Sequence, residues 1–124
     1  MNASKEDYLR VMYELHEQGS IKCVDIASAL KISKSGVSQM IRKFVYEGLI
    51  EATPYSRIAF TRKGLREARR IMYNHRIIEV FLKDILGYDK VHEEAHRLEH
   101  AFSKESIERL DNFLKRPKLS PNDK

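Results

Sequence analysis

The chain has 124 residues, of which 42% are hydrophobic and 33% charged, enough for one modest domain or a small domain with a helical extension. It has no apolar run near the roughly 18 residues of a membrane span, its N-terminus MNASKEDYLR lacks the apolar core of a signal peptide, and its single cysteine, Cys23, excludes an internal disulfide and fits a reducing cytoplasm. The net charge of +5 is unevenly spread: between Lys31 and Arg70 lie ten Lys or Arg and only three Glu, the local basic excess that a phosphate-binding surface needs.

Ser4 is a good N-cap, with Asp7 three residues on in a capping-box position, and Leu9, Met12, Tyr13 and Leu15 follow at helical spacing as far as Gly19. In IKCVDIASAL, Val24, Ile26, Ala27 and Leu30 predict the inner face of a second helix. KIS is a brief turn, and Ser33 caps a third helix that runs to about Glu47 and closes at Gly48. Leu49–Ala52 and Ile58–Phe60 are β-prone runs on either side of a Pro54-Tyr55-Ser56 turn, a hairpin signature. Thr61 can cap a long helix to about Leu86, closed by Gly87. A fifth helix is expected over Lys90–Phe102, and Ser103 caps a sixth that stops at Pro117. The remaining tail has little to bury and is expected to be loose. The fold class is therefore mainly α with a small β-hairpin wing: a winged helix-turn-helix over 1–62, a helical domain over 63–117, and a flexible tail over 118–124.

The third helix is where nucleic acid would be read. Its first turn, SKSGVSQ, is small and polar, so the backbone can come close to DNA while Ser and Gln bond base edges or phosphates. Val37, Ile41, Phe44 and Val45 are assigned to the inner face. Ser33, Lys34, Ser35, Gly36, Ser38, Gln39, Arg42 and Lys43 are the candidate DNA-contacting residues, with Arg57 of the wing. Gly36 costs about 1 kcal/mol of helix stability relative to Ala, and close approach to DNA would compensate. The alternative is a winged helix used for protein contact, which the basic window argues against.

Beyond residue 70 the pattern is one of metal ligands. On the fifth helix Val91, Ala95, Leu98 and Phe102 form the core stripe. His92, His96, Glu99 and His100 fill an adjoining arc of about 100°. On the long helix Leu65, Ala68, Met72, Leu82 and Leu86 make an inward stripe in which His75 and Glu79 occupy two places. Polar groups at core-facing positions need partners, and two helices offering inward His and Glu could share a divalent metal. HEEAH also matches the H-E-x-x-H protease pattern, but Glu93 lies on the far side of the ligand arc and no sheet edge offers itself to a peptide. No small organic substrate is implied. The end of the long helix is apolar on more than one side (Ile71, Ile77, Ile78, Val80, Phe81, Leu82, Ile85, Leu86), more than one small core can cover, so a partner surface is expected.

Taken together, EDYLRVMYELHEQG, DIASALKISKSGVSQMIRKF, FTRKG, NHRIIEVFLKDILG and HEEAHRLEHAFS resemble the diphtheria toxin repressor family of metal-dependent transcriptional repressors, from about Ser4 to Pro117. In stopping where the iron-responsive members carry an SH3-like domain, the chain looks like the two-domain manganese-transport regulators, and that plan is the expectation. The resemblance implies a cytoplasmic homodimer on a palindromic operator, activated by Mn²⁺ or Fe²⁺. By position it implies Asp7, His75, His96, Glu99 and His100 as metal ligands, with Glu79 and His92 matching an ancillary site. Two residues depart from it. Arg10 stands where the manganese regulators have a second carboxylate, and could pair with a ligand carboxylate in the metal-free protein. His96 stands where Glu or Cys is usual, which shifts the donor set toward Fe²⁺, Co²⁺ or Zn²⁺. A metal held jointly by Asp7 and the later ligands would fix the angle between the halves and raise operator affinity. Two rivals stand beside this reading: a winged-helix regulator indifferent to metal, with a structural His cluster, and a metallohydrolase using Glu93.

Overall fold

A computed structural model describes residues 4–53, 57–99 and 101–115. The chain forms two compact units, Met1–Ile71 and Met72–Lys124. The first contains α1 (Lys5–Gln18), α2 (Cys23–Leu30), α3 (Lys34–Tyr46), β1 (Ile50–Ala52) and β2 (Ile58–Phe60), then the start of α4 (Arg62–Val80). The second holds the rest of α4, a π-helical turn (Phe81–Ile85), α5 (Val91–Glu99) and α6 (Lys104–Lys115). No described helix is long and apolar enough to cross a membrane.

The expected caps form. The Ser4 side chain accepts from the Asp7 N–H at 3.2 Å and Asp7 Oδ2 accepts from the Ser4 N–H at 3.0 Å, a complete capping box. Ser33 Oγ accepts from the Gly36 N–H at 3.1 Å. Between α2 and α3 the chain turns sharply through Lys31, which takes the left-handed conformation at φ 56°. β1 and β2 pair antiparallel, with Ile50 opposite Phe60 and Ala52 opposite Ile58, and an isolated bridge ties Ile21 to Ile58. Leu9, Met12, Ile26, Val37, Phe44, Leu49 and Ile50 are fully buried in the first core. Each such side chain stabilises by about 1.5–3 kcal/mol relative to an exposed one. Tyr8 meets Phe44 edge-on at 6.0 Å, and burial pushes its phenol above the usual pKa.

The start of α4 is docked onto the α3–β1 junction. The Thr61 hydroxyl donates to the Gly48 carbonyl at 2.6 Å, and its oxygen accepts from the Gly64 N–H at 3.0 Å. Lys63 Nζ donates to the Glu47 carbonyl at 3.3 Å. Gly64 lies so near the neighbouring backbone that a Cβ there would stand 1.8 Å from the Leu49 carbonyl oxygen. The expected domain boundary at 62/63 falls in the first turn of α4. The compact units divide later, inside that helix, because Ala68 and Ile71 are buried in the first core.

Four expectations change. Val24 is 53% exposed and Val45 42% exposed, so neither belongs to the inner face of its helix; Ile26 and Ala27 fill the core from α2, and Phe44 does so at the end of α3. The long helix leaves α-geometry at Phe81. The Leu86 N–H reaches the Phe81 carbonyl at 3.3 Å and the Tyr88 N–H reaches that of Leu82 at 3.0 Å, past Gly87 at φ 74°. That widening turns Leu86 outward, 54% exposed, while Leu82 stays buried. Finally, α5 is shorter than expected, with Ala101 in a turn and Phe102 outside the helix. The hairpin turn at Pro54–Ser56 and the tail from 116 lie outside the described residues.

The second core is small: Ile78, Leu82, Ala95 and Ile107 are buried, with Phe81, Val91, Leu98 and Phe102 packed around them. α6 is anchored to α4 through Asp111, a buried carboxylate that accepts from the Tyr73 hydroxyl and pairs with Lys115 Nζ at 3.0 Å. Ile85, Leu86, Tyr88 and Phe113 remain exposed, so the apolar surplus expected from the sequence is reduced but still present.

Gly64→Ala is expected to destabilise the protein by about 3 kcal/mol or more, the upper end of overpacking costs, because the atom it meets is backbone. Urea denaturation checks this; a midpoint equal to that of the unsubstituted protein would refute the close-approach account.

Candidate metal centre and nucleic-acid interface

His75 sits mid-way along α4 and is buried, at 5% exposure. Its Nδ1 lies 3.0 Å from Glu99 Oε2 on α5, whose side chain is equally hidden. An ionised carboxylate can only accept, so Nδ1 donates to Glu99, and Nε2 meets its other neighbour as a second N–H in the imidazolium or as a lone pair in the neutral ring. Nε2 in turn lies 3.2 Å from Glu79 Oε2, one turn along α4. His92, at the start of α5, brings its Nδ1 within 3.5 Å of the same Glu79 oxygen, and the two imidazoles meet edge-on at 5.1 Å. A ring lone pair and a carboxylate oxygen repel at this distance unless positive charge stands between them, as a proton or a metal cation.

His75, Glu79 and His92 each direct one ligand atom into a space where all three lie within 4.8 Å of one another. Two imidazole nitrogens and one carboxylate oxygen are a borderline donor set, suited to Fe²⁺, Mn²⁺, Co²⁺ or Zn²⁺. The residues present therefore fit a divalent transition metal. Glu99 is placed to do what a carboxylate behind a metal-bound histidine does: fix its tautomer and ring plane. The exposure gradient is also functional in form, since His75 is buried and His92 has a side chain 64% exposed, leaving a route for an ion to enter.

The other expected ligands stand differently. His96 is half-buried on α5 and lies outside that three-residue group. Asp7 belongs to the first unit, where Arg10 Nη2 meets its Oδ1 at 3.3 Å. His100 lies outside the described residues. Glu93, the would-be protease base, is exposed and outside the convergent group. Sequence spacing placed these side chains on suitable faces but did not reveal that Glu99 backs His75, because that pairing crosses 24 residues and two helices.

The candidate DNA-contacting residues form an exposed stripe on α3. Ser33, Lys34, Ser35, Ser38, Gln39, Arg42 and Lys43 are all exposed, Gly36 is partly covered, and Val37, Ile41 and Phe44 point the other way into the core. At Gly36 a Cβ would press on the capping Ser33 hydroxyl at 3.3 Å, so the glycine also keeps the cap relaxed. Arg57 follows the wing turn and is exposed. It lines an open groove with Lys34 and Lys22, the residue before α2. Lys22 escaped the sequence reading because it lies outside the basic window of 31–70. Arg62, Arg66, Arg69 and Arg70 add exposed positive charge along the first turns of α4.

Comparison with known proteins gives a consistent picture. Residues 1–58 match the family model for the N-terminal DNA-binding domain of iron-dependent repressors, and residues 61–124 match that for their metal-binding and dimerisation domain. The chain is 38% identical over 120 residues to an uncharacterised HTH-type transcriptional regulator of Methanocaldococcus jannaschii, covering 94% of this chain and 96% of that one. It is 39% identical over 119 residues to the diphtheria toxin repressor of Corynebacterium glutamicum, covering 94% of this chain but 52% of that protein. Among solved structures, that of the manganese regulator SloR superposes with a TM-score of 0.79 at 41% identity, over 98% of this chain and 58% of that one. The chain thus spans nearly all of the Methanocaldococcus relative and little more than half of the other two.

Glu99→Ala would leave the buried His75 ring without its orienting carboxylate. It is expected to lower metal affinity by about 10–100-fold and thermal stability by about 1–3 kcal/mol. Calorimetric metal titration and a melting curve check both; unchanged affinity would mean that Glu99 does not orient a ligand.

Proposed function

This chain belongs to the iron-dependent repressor family, and from that premise we propose that it is a cytoplasmic, homodimeric repressor whose affinity for operator DNA is raised by Mn²⁺ or Fe²⁺. The family is one of transcriptional repressors, not of enzymes, and HEEAH serves here as a ligand helix. The observation that carries the reading is the approach of His75 Nε2 and His92 Nδ1, from two helices, to one oxygen of Glu79.

A divalent cation bound there supplies positive charge to a cluster rich in lone pairs and ties α4 to α5. Glu79 and His75 bind from α4, His92 binds from α5, and Glu99 holds the His75 ring in plane. Asp7, His96 and His100 are proposed as further ligands on the strength of the family pattern. With iron in the description of the family and manganese in that of SloR, these two ions are the leading effectors; the histidine-rich donor set also accommodates Co²⁺ and Zn²⁺.

On the DNA side, Ser38 and Gln39 are proposed to read base edges from the first turns of α3. Lys34, Arg42, Lys43 and Arg57 hold phosphates, and the small residues Ser33, Ser35 and Gly36 let the backbone approach. A two-fold dimer presents two recognition helices, so the operator is palindromic with half-sites near one helical turn, about 34 Å, or a multiple apart. The exposed Ile85, Leu86, Tyr88 and Phe113 provide apolar surface for the partner. Metal and operator binding are linked, so each raises affinity for the other by the same factor.

Operator binding followed by fluorescence anisotropy tests this. Mn²⁺ or Fe²⁺ is expected to tighten binding at least tenfold, and Glu79→Ala to abolish that gain while leaving weak, salt-sensitive binding. Indifference of the unsubstituted protein to every divalent ion would refute the metal-dependent reading. A phosphate contact behaves distinctly: Lys43→Ala is expected to weaken binding to all sequences alike and to lower the slope of log K against log salt by about 0.9, whereas Gln39→Ala relaxes sequence preference.

A further inference from the structure

Asp7 has both carboxylate oxygens committed. Oδ2 accepts from the Ser4 N–H at 3.0 Å, closing the capping box, and Oδ1 accepts from Arg10 Nη2 at 3.3 Å. Arg10 and Asp7 are three residues apart on one face of α1, and their side chains are only 12% and 13% exposed. A charge pair so far removed from water is weakly screened, and neither partner gives up the other without compensation. A guanidinium is always charged and keeps its fork geometry, so the cationic half of the pair is permanent.

We propose that Arg10 is the resident cation of Asp7, which an incoming metal must displace, and that it thereby sets the metal concentration at which the protein responds. The inference rests on the reading of Asp7 as a metal ligand. Ligation through Oδ1 exchanges a single positive charge for a double one. The guanidinium then either swings to solvent or stays beside the ion and repels it. Both effects oppose metal binding, so Arg10 raises the threshold. Ser4 plays the complementary part: its N–H holds Oδ2 and fixes the carboxylate in place whichever cation occupies Oδ1.

The test is calorimetric titration of the metal-free full chain with Mn²⁺ and with Co²⁺, comparing Arg10→Met, Arg10→Lys, Asp7→Asn and the double substitution Asp7→Asn with Arg10→Met. Arg10→Met is expected to tighten metal binding about five- to tenfold, the scale of a partly screened ion pair. Arg10→Lys should stay near the unsubstituted value, and the gain should vanish in the Asp7→Asn background. If Arg10→Met proves unfolded by circular dichroism, Arg10→Gln, which keeps a donor to Oδ1 without the charge, is expected to show the same tightening. Unchanged or weaker binding in Arg10→Met or Arg10→Gln, with Asp7→Asn still impaired, would overturn the competitor role and leave Asp7 a ligand. Unchanged binding in Asp7→Asn would instead remove Asp7 from the ligand set, and the proposal with it, leaving the pair a helix-cap contact only.

Discussion

Burying an imidazole between two carboxylates constrains everything around it. His75 is held by Glu99 through Nδ1 and faces Glu79 through Nε2, and a ring so placed must have positive charge nearby and fixed neighbours. That requirement locks α4 against α5 at one register. It also explains why a four-residue apolar core can suffice for the second unit: the polar cluster contributes order as well as a binding site. A cation that satisfies the cluster stabilises the same packing that forms it, so metal binding and folding of this unit are coupled.

The first unit, which matches a DNA-binding domain, solves a different problem, holding α3 rigid with its polar side exposed. Its means are backbone contacts. Thr61 and Lys63 bond to the carbonyls that end α3, and Gly64 lies directly on Leu49. The helix that carries His75 and Glu79 therefore begins on the turn that follows α3. Exposed Ser38 and Gln39 on one side of α3 and buried Val37, Ile41 and Phe44 on the other divide that helix cleanly between surface and core.

Regulation by a metal asks for more than a site that binds; it asks for one that stays empty until the ion is abundant. Three carboxylates of this protein lie against charged or imidazole neighbours: Glu79 against two histidines, Glu99 against His75, Asp7 against Arg10. Such contacts would order these side chains in advance of an ion, which lowers the entropy lost on binding, and would compete with it, which weakens binding. The balance between the two sets the working range.

Much of this was legible in the chain. Ser4, Ser33 and Ser103 cap helices because a hydroxyl answers the first N–H groups wherever it precedes a helix, and Gly19, Gly48 and Gly87 end turns at positive φ for equally local reasons. The basic stripe of α3 and the His and Glu faces of α4 and α5 followed from helical periodicity alone, and the family pattern supplied the word repressor. What periodicity could not supply was the π-helical turn at Phe81, the exposure of Val24, Val45 and Leu86, and which carboxylate serves which imidazole. Glu79 and Glu99 are indistinguishable as entries on a helical wheel. Only the packing of α4 on α5 makes one face the convergent space and the other sit behind His75, because side-chain roles in a cluster depend on distances between elements, and those are fixed by tertiary contacts and not by spacing along the chain.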